Sequence, residues 1–213
     1  MNQMSKVLFS TLFAVSAAAQ ADTTFHANGE GWCANYDLGG YTCNNVNMQS
    51  WANLYAGTDG HGLDTRNWMA FKPSAGHIEK ATISIFNDGI DTDFNPAAVY
   101  SLHAATAVDF GSLGVGPSLG SVTAGEANSL KVRYVDIQLN AFGVAYLNAH
   151  QGQQVIFGGV VTGSGHTGLF GGSRGVPEAL LTVSAVPEPE SYAMLLAGLG
   201  LVGWLARRKQ RVA

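Results

Sequence analysis

Short runs that alternate between apolar and polar residues recur through the middle of the chain, separated by glycine, asparagine and aspartate. In "SLKVRYVDIQLN", one face of an extended strand would carry Val135, Ile137 and Leu139. The opposite face would carry Tyr134 and Asp136. Similar runs are "NWMAFKP", "ATISIFND", "AAVYSLHAAT", "QQVIFGGVV" and "EALLTVSA". A period of two is typical of strands with one buried face. Many such strands joined by glycine-containing turns predict an all-β fold, an antiparallel, jelly-roll-like β-sandwich.

One segment departs from this pattern and predicts a short helix. In "NAFGVAYLNAHQG", four residues recur at the spacing of one helix face: Phe142, Ala145, Tyr146 and Ala149. Asn140 is a favourable cap for the first turn, and Gly152 can terminate the last turn. The body is therefore expected to contain one short helix that joins two strands.

Composition limits the classes of protein to consider. Only 12% of the 213 residues are charged, and the formal net charge is -4. The basic residues cluster only at the C-terminus, so no nucleic-acid partner is expected. Disorder would suit the 27 glycines, but 46% of the residues are hydrophobic, which predicts a packed core.

The N-terminus has the pattern of a secretory signal peptide. Lys6 precedes an uncharged, mostly apolar stretch, and Ala19-Gln20-Ala21 supplies the small-x-small pattern of a cleavage site. Residues 1–21 are therefore predicted to form a signal helix that signal peptidase removes before Asp22. The alternative, an N-terminal core helix, fits this pattern less well.

Near the C-terminus, an uncharged apolar segment over residues 191–206 is followed by a basic tail over residues 207–213. As a helix, the fifteen residues from Tyr192 to Ala206 would span only about 22 Å of a ~30 Å hydrocarbon core, so length alone also allows a buried helix. The cations favour a transmembrane helix, because they reach the headgroups and hold that end in the cytoplasm. This basic cluster consists of Arg207, Arg208 and Lys209.

Residues 186–190 precede the apolar segment and contain Val186, Pro187, Glu188 and Pro189. The prolines cannot extend the following helix backwards, so this motif is expected to stay exposed. The order of motif, "AMLLAGLGLVG" span and "ARRK" end resembles the PEP-CTERM sorting signal of Gram-negative bacteria that make exopolysaccharide. The resemblance is confined to the C-terminal tail. An ordinary single-pass anchor is the alternative, but it would leave the Pro-Glu-Pro without a purpose.

The resemblance implies how the chain is exported. A membrane transpeptidase-like protease, exosortase, would recognise the tail, cut near the Pro-Glu-Pro and pass the body outward. The inner membrane would hold the chain transiently, with the body in the periplasm. The final location would be the cell surface or the extracellular matrix.

Residues 22–185 remain as the body, which is long enough for one sizeable core. Within "CANYDLGGYTC", Cys33 and Cys43 are equidistant from Leu38, and the two following glycines favour a turn. A hairpin would bring the two cysteines opposite each other, and export to an oxidising compartment favours a disulfide over free thiols. Zinc is a poor alternative, because there is no nearby Cys/His pair.

The sequence gives little sign of catalysis, and no catalytic residue is expected. "GPSLG" around Ser118 and "GGSRG" around Ser173 fit G-x-S-x-G, but neither lies at the strand-to-helix turn that a nucleophile elbow needs. No cofactor is expected, and calcium is the one exception considered. "NDGIDTD" gathers the candidate calcium ligands Asp88, Asp91 and Asp93, although Asp-Gly is also ordinary turn chemistry.

Aromatic and amide residues are concentrated in the N-terminal third. Flat aromatic rings stack on sugars and amides pair with hydroxyls, so this composition is typical of glycan contacts. The alternative, core packing, is favoured over a glycan site for such residues. The candidate glycan contacts are Trp32, Tyr36, Trp51 and Tyr55.

These features favour a secreted, exosortase-processed surface or matrix protein that is not an enzyme. Its role would be structural or adhesive within the exopolysaccharide of a biofilm, as the resemblance implies. A carbohydrate-binding module with a defined glycan site is the second interpretation. A secreted hydrolase is the third.

Overall fold

The computed structural model describes residues 21–36, 40–45, 54–58, 64–87, 95–129, 133–163, 165, 167–170, 179–186 and 196–202. The chain divides into two compact units. One unit, the body, is Asp22–Ala185. The other combines Met1–Ala21 with Val186–Ala213.

Apart from the helical residues 196–202, the described residues form strands and two short helices. The first seven elements are β1 (Ala21–His26), β2 (Gly29–Tyr36), β3 (Gly40–Asn45), β4 (Ala56–Thr58), β5 (Asp64–Phe71), β6 (His77–Asn87) and β7 (Val99–Ala105). The remaining elements are β8 (Ser118–Thr123), α1 (Ala124–Ser129), β9 (Arg133–Gln138), α2 (Ala141–Ala149), β10 (Val155–Thr162), β11 (Thr167–Leu169) and β12 (Ala179–Val186). All six segments with a clear period of two are strands, at β5, β6, β7, β9, β10 and β12.

The strands form two sheets. The smaller sheet has the order β1-β12-β6-β9. In the larger sheet β5 is central, because β2 pairs with one of its edges while β10 and β4 pair with successive parts of the other. The sheet continues from β10 to β7 and β8, from β4 to β11, and from β2 to β3. Every pairing with a described register is antiparallel, which confirms the predicted antiparallel, mainly β structure.

The two sheets share one apolar core. The larger sheet contributes Met69, Phe71, Tyr100 and Phe157. The smaller sheet contributes Ile83, Ile85, Ile137 and Val183. Each of these side chains is at most 1% exposed, and burying one fully stabilises the fold by ~1.5–3 kcal/mol relative to leaving it in water. The faces predicted from the alternation in β6, β7 and β9 are therefore confirmed.

A buried polar link connects three segments inside this core. The Tyr100 hydroxyl donates to Asn67 Oδ1 at 2.8 Å, and Asn67 Nδ2 donates to the Leu54 carbonyl at 2.6 Å. Burial raises the pKa of Tyr100 above its ordinary value, because the ionised phenolate would lose its hydration. Gly159 makes room for the link, since a Cβ there would lie 1.9 Å from the Tyr100 hydroxyl. The link therefore explains a glycine in the middle of β10.

Helix α2 confirms the predicted short helix and its cap. Asn140 Oδ1 accepts from the amides of Phe142 and Gly143, which satisfies two donors of the first turn. At the other end, Asn148 bonds to both the amide and the carbonyl of Ile78. The helix is thereby fastened to the start of β6.

Helix α1 shows that the prediction of one helix was wrong in number. Thr123 Oγ1 accepts from the Glu126 amide at 3.2 Å, and Glu126 Oε2 accepts from the Thr123 amide at 3.1 Å. This reciprocal arrangement is a capping box. The Thr123 hydroxyl, which also donates to Glu126 Oε2 at 2.8 Å, and the Thr123 amide together hold the pKa of Glu126 below its ordinary value. Thr-x-x-Glu is a recognisable signal for a helix start, so the sequence did contain the information.

The helices predicted at the two ends are only partly covered. Residues 1–20 of the predicted signal helix lie outside the described residues, and Ala21 begins β1. Residues 196–202 are helical and belong to the predicted span 191–206. Within the part of the chain that the structure describes, no helix is both long enough and apolar enough to cross a membrane. The signal helix and the transmembrane helix stay predictions.

The buried link predicts the effect of one substitution. Tyr100→Phe keeps the ring but leaves Asn67 Oδ1 buried without its donor. We expect the free energy of unfolding to fall by about 1–3 kcal/mol, the cost of an unsatisfied buried acceptor. Urea denaturation measures this, with Phe142→Leu at a position 66% exposed as a control that should change stability by less than ~0.5 kcal/mol. Equal stability of the two variants would contradict the prediction.

Candidate functional sites

The first candidate site is the C-terminal sorting segment. Strand β12 ends at Val186, the first residue of the predicted motif, and Pro187, Glu188 and Pro189 lie outside the described residues. The basic cluster of Arg207, Arg208 and Lys209 lies outside them as well. The helical residues 196–202 expose four large apolar side chains, which are Leu196, Leu199, Leu201 and Val202. Exposed apolar surface of this kind is typical of a segment that contacts a membrane or another protein.

The cysteine hairpin is confirmed. In the antiparallel pair of β2 and β3, Cys33 lies directly opposite Cys43, and the two form a disulfide. Cys33 is fully buried in a second apolar cluster on the outer face of the larger sheet, together with Trp68 and Leu113. The disulfide therefore ties the hairpin to the body and has a structural role.

A loop over residues 106–117 covers part of this outer face and is held there by Arg66. The guanidinium Nη1 donates to the carbonyls of Phe110 at 3.0 Å and Leu113 at 2.6 Å. Nη2 donates to Asp64 Oδ2 at 3.2 Å, and the guanidinium carbon lies 4.0 Å from the centre of the Phe110 ring. Arg66 and Asp64 thus act as a clamp on the loop.

Further contacts fasten the same loop. His103 Nδ1 hydrogen-bonds with the Gly116 carbonyl at 3.0 Å, and Leu113 packs against β10 where Gly158 lacks a side chain. Within the loop, the Ser112 hydroxyl and amide donate to Asp109, which holds the pKa of that carboxyl below its ordinary value. The outer face of the larger sheet is therefore partly closed by the chain itself.

The structure places two of the four predicted glycan contacts. Trp32 is half-buried on β2, opposite the buried Asn67, and Asn67 in turn bonds to the residue that precedes the half-buried Tyr55. The side chain of Tyr36 and all of Trp51 lie outside the described residues. Buried surroundings favour a packing role for Trp32 and Tyr55, and a glycan contact there stays a prediction.

Of the remaining predicted site residues, the two serines and the three aspartates, the structure describes only Ser118. Ser118 begins β8, and its hydroxyl donates to the Gly120 carbonyl at 3.2 Å. Ser173 and the candidate calcium ligands Asp88, Asp91 and Asp93 lie outside the described residues. Among the residues that are described, no three His, Cys, Asp or Glu side chains gather as metal ligands would. The calcium site stays a prediction.

A surface that the sequence did not single out lies on the outer face of the smaller sheet. Six outward residues of β6 and β9 form three cross-strand pairs, Thr82 with Gln138, Ser84 with Asp136, and Phe86 with Tyr134. We call these six residues the outer strip. All six are exposed or half-buried, whereas the neighbours along each strand whose side chains are described are buried. The sheet therefore presents a polar surface with one aromatic pair.

Side-chain contacts hold the outer strip in place. The Ser84 hydroxyl donates to Asp136 Oδ1 at 2.6 Å, so one carboxylate is oriented by its neighbour. The rings of Phe86 and Tyr134 lie edge to face with their centroids 5.5 Å apart. Cross-strand aromatic pairs stabilise sheets, and that structural role accounts for part of this arrangement. It does not account for their partial exposure to solvent.

An open pocket of about 670 Å³ adjoins the outer strip at Gln138. Its polar rim includes His77, Glu79 and Lys80, and its apolar wall includes Leu139 and Val144. Gln138 belongs to both features, because it points outward from β9 immediately before the chain turns into α2. The outer strip and the pocket are therefore continuous.

Comparison with known families confirms the resemblance of the tail. Residues 185–209 match the model of the PEP-CTERM protein-sorting motif. The match covers the predicted motif Val186–Pro189, the apolar span and the basic cluster up to Lys209. The motif indicates an exosortase-targeted, secreted protein. No curated protein sequence gave a significant match to the chain.

Two solved structures are similar to the chain at the level of the fold. A xylan-binding module, CBM15, aligns with a TM-score of 0.45 and 10% identity over 79% of this chain and 99% of the module. A mutant Xylanase10C from Cellvibrio japonicus in complex with xylopentaose aligns with a TM-score of 0.40 and 13% identity. That alignment covers 73% of this chain and 27% of the xylanase. At these scores the likenesses carry no functional argument.

The Arg66 clamp predicts a local effect. Arg66→Ala leaves two loop carbonyls without their charged donor and removes the contact with the Phe110 ring. Because hydrogen bonds to charged groups contribute ~1.5–3 kcal/mol each and two are lost, we expect amide exchange over residues 106–117 to accelerate by about 100-fold or more. Hydrogen exchange read by mass spectrometry gives the measurement.

Two variants control this experiment. Arg66→Lys should give an intermediate effect, since a compact ammonium group cannot bridge two carbonyls as a planar guanidinium does. The exposed Lys72, at the end of β5, gives a neutral control as Lys72→Ala. Unchanged exchange of the loop in Arg66→Ala would show that apolar packing alone holds it.

Proposed function

We propose that the chain is a secreted, exosortase-processed protein of the cell surface or extracellular matrix. Its body, a jelly-roll-like β-sandwich, would have a structural or adhesive role in the exopolysaccharide of a biofilm. The observation that carries the proposal is the PEP-CTERM sorting motif at residues 185–209. The signal-peptide pattern of residues 1–21 supports it independently, because both ends then direct the body out of the cell.

The proposed route has three steps. Signal peptidase removes residues 1–21, and the apolar span over residues 191–206 holds the chain in the inner membrane with the body in the periplasm. Exosortase then cuts near Pro187–Pro189 and releases the body outward. The compact body ends at Ala185, so a cut in the motif removes no residue of that unit.

We propose that the body is not catalytic. A serine nucleophile needs a base within hydrogen-bond reach of its hydroxyl. The Ser118 hydroxyl, the candidate that the structure describes, donates instead to a backbone carbonyl in its own strand. This contact supports a binding or structural role over a hydrolase at Ser118.

A second candidate function is that of a carbohydrate-binding module with a defined glycan site. The specific observation in its favour is the outer strip, where an aromatic pair is surrounded by hydroxyl, amide and carboxylate groups on an open sheet face. The two functions differ in what they predict. A module binds one glycan saturably, whereas a matrix protein needs only weak contacts along its surface.

The processing route predicts the effect of changing the motif. In the producing bacterium, replacing both Pro187 and Glu188 by alanine should block exosortase cleavage. The variant should then accumulate in the membrane fraction with its C-terminal residues intact, while the native chain is released in a shorter form. Mass spectrometry of the C-terminal peptide from each fraction distinguishes the two forms.

Two controls make this test specific. Lys72→Ala changes an exposed residue of the body, outside residues 185–209, and should leave cleavage and release unchanged. Deletion of the exosortase gene should reproduce the motif variant with an unaltered chain. Release of a shortened body from cells without exosortase would refute the proposed processing.

A further inference from the structure

We propose that the outer strip and its adjoining pocket form one extended binding site for a neutral polysaccharide chain. The inference rests on the proposed association with exopolysaccharide, and it moves the contact surface away from Trp32 and Tyr55.

The dimensions of the site suit a polymer. From Phe86 to Lys80 along β6 is six residues, or about 20 Å at the ~3.3 Å rise of a strand. The aromatic pair lies at one end of this length, and the pocket of about 670 Å³ at Gln138 and Lys80 lies at the other. A linear chain of several sugars can therefore lie along the strands and place one unit in the pocket.

The side-chain groups match the surface of a sugar. Aromatic faces carry partial negative charge and attract the weakly positive C–H groups of a sugar ring. Between the two ends, Ser84, Asp136 and Gln138 offer oxygen and amide groups that can pair with hydroxyls. Asp136 is already oriented by the Ser84 hydroxyl, so its carboxylate is held in one direction before a ligand arrives. Preorganised groups lose little entropy on binding.

The charge of the face selects a neutral polymer over an acidic one. The described exposed side chains of the smaller sheet include three carboxylates, Asp22, Glu79 and Asp136, and one lysine, Lys80, so the negative charges outnumber the positive ones. A polysaccharide of uronic acids would meet like charge along the strip, which disfavours its binding. A neutral polymer meets no such penalty, and its binding should be nearly independent of salt.

The outer face of the larger sheet is less suited to a ligand, because a loop of the chain already covers part of it. On the outer face of the larger sheet, Arg66 and His103 are already engaged by the loop over residues 106–117. A ligand there would first have to displace the loop. Among the described residues, no loop covers the outer strip in this way. Its six residues are exposed or half-buried.

The test uses the full-length chain, purified in mild detergent, and soluble polysaccharides as probes. The neutral probes are galactomannan, hydroxyethylcellulose and soluble xylan, and the acidic probe is alginate. Affinity gel electrophoresis shows which probe retards the chain, and isothermal titration calorimetry gives its affinity at low and at high salt. We expect retention by at least one neutral probe, no retention by alginate, and less than a twofold change with salt.

Three variants locate the site. Tyr134→Ala and Gln138→Ala should each weaken binding about tenfold or more, and Asp136→Asn should weaken it less because an amide still accepts one hydrogen bond. Phe142→Ala is the matched aromatic control, since Phe142 is 66% exposed but does not line the pocket. It should bind as the native chain does. Urea denaturation of each variant shows that the fold is retained, and Gln138→Ala serves if Tyr134→Ala does not fold.

Three results of the binding experiments would overturn different parts of the proposal. Native binding that persists in folded Tyr134→Ala and Gln138→Ala overturns the proposed site but leaves the adhesive role of the body in place. Retention by alginate alone, abolished by salt, overturns the ligand class. Failure to bind any of the four probes overturns the site and the adhesive role together, while the sorting motif and its processing test stand.

Discussion

The packing of the two sheets against each other is the constraint on which the rest of the body depends. Because side chains alternate along a strand, burying Ile83 and Ile85 of β6 obliges Ser84 and Phe86 to face outward. The same holds for β9, where the buried Ile137 separates two outward residues. A slip of one residue in either strand would place polar groups in the core and apolar groups in water. The burial of the core residues therefore fixes which side chains form the outer strip, and the strip is as stable as the core.

The outer faces of the two sheets differ in polarity and in how far the chain covers them. On the larger sheet, a second apolar cluster around Cys33 and Trp68 is covered by the loop over residues 106–117, which Arg66 holds. On the smaller sheet the outward positions carry hydroxyl, carboxylate and amide groups that tolerate water. Hydroxyl contacts such as that between Thr24 and Thr182 continue this polar character towards β1. The body therefore has one closed face that adds stability and one open face available for contacts.

Much of the fold could be predicted because its signals are local. The alternation in β6 and β9, the Asn140 cap of α2 and the spacing of the two cysteines all lie within a few residues of one another. Strands β4 and β11 have only three residues each, which is too short for a period of two to be recognised. Helix α1 was missed although Thr123 and Glu126 provide a capping signal, because it lies in a short segment between strands.

The candidate sites also differ in whether a local sequence signal could reveal them. The sorting motif is a continuous stretch, so the sequence was sufficient to recognise it, and the family comparison confirms it. For the outer strip, alternation placed Tyr134, Asp136 and Gln138 on one face, but only the register brings Phe86 opposite Tyr134. The Arg66 clamp joins residues that are 44 and 47 positions apart, and no local pattern reports such a contact. Long-range register is the information that the sequence lacks.

The last strand of the body ends where the sorting motif begins. The last strand, β12, lies between β1 and β6, so it is paired on both edges. Its neighbour β1 contributes Asp22, which accepts a hydrogen bond from Ser184, only two residues before the motif begins. Pro187 lacks the amide hydrogen that a further ladder bond would need, so the pairing has a reason to stop where the motif starts. The cut proposed within the motif would fall after this strand and would leave its described hydrogen bonds intact.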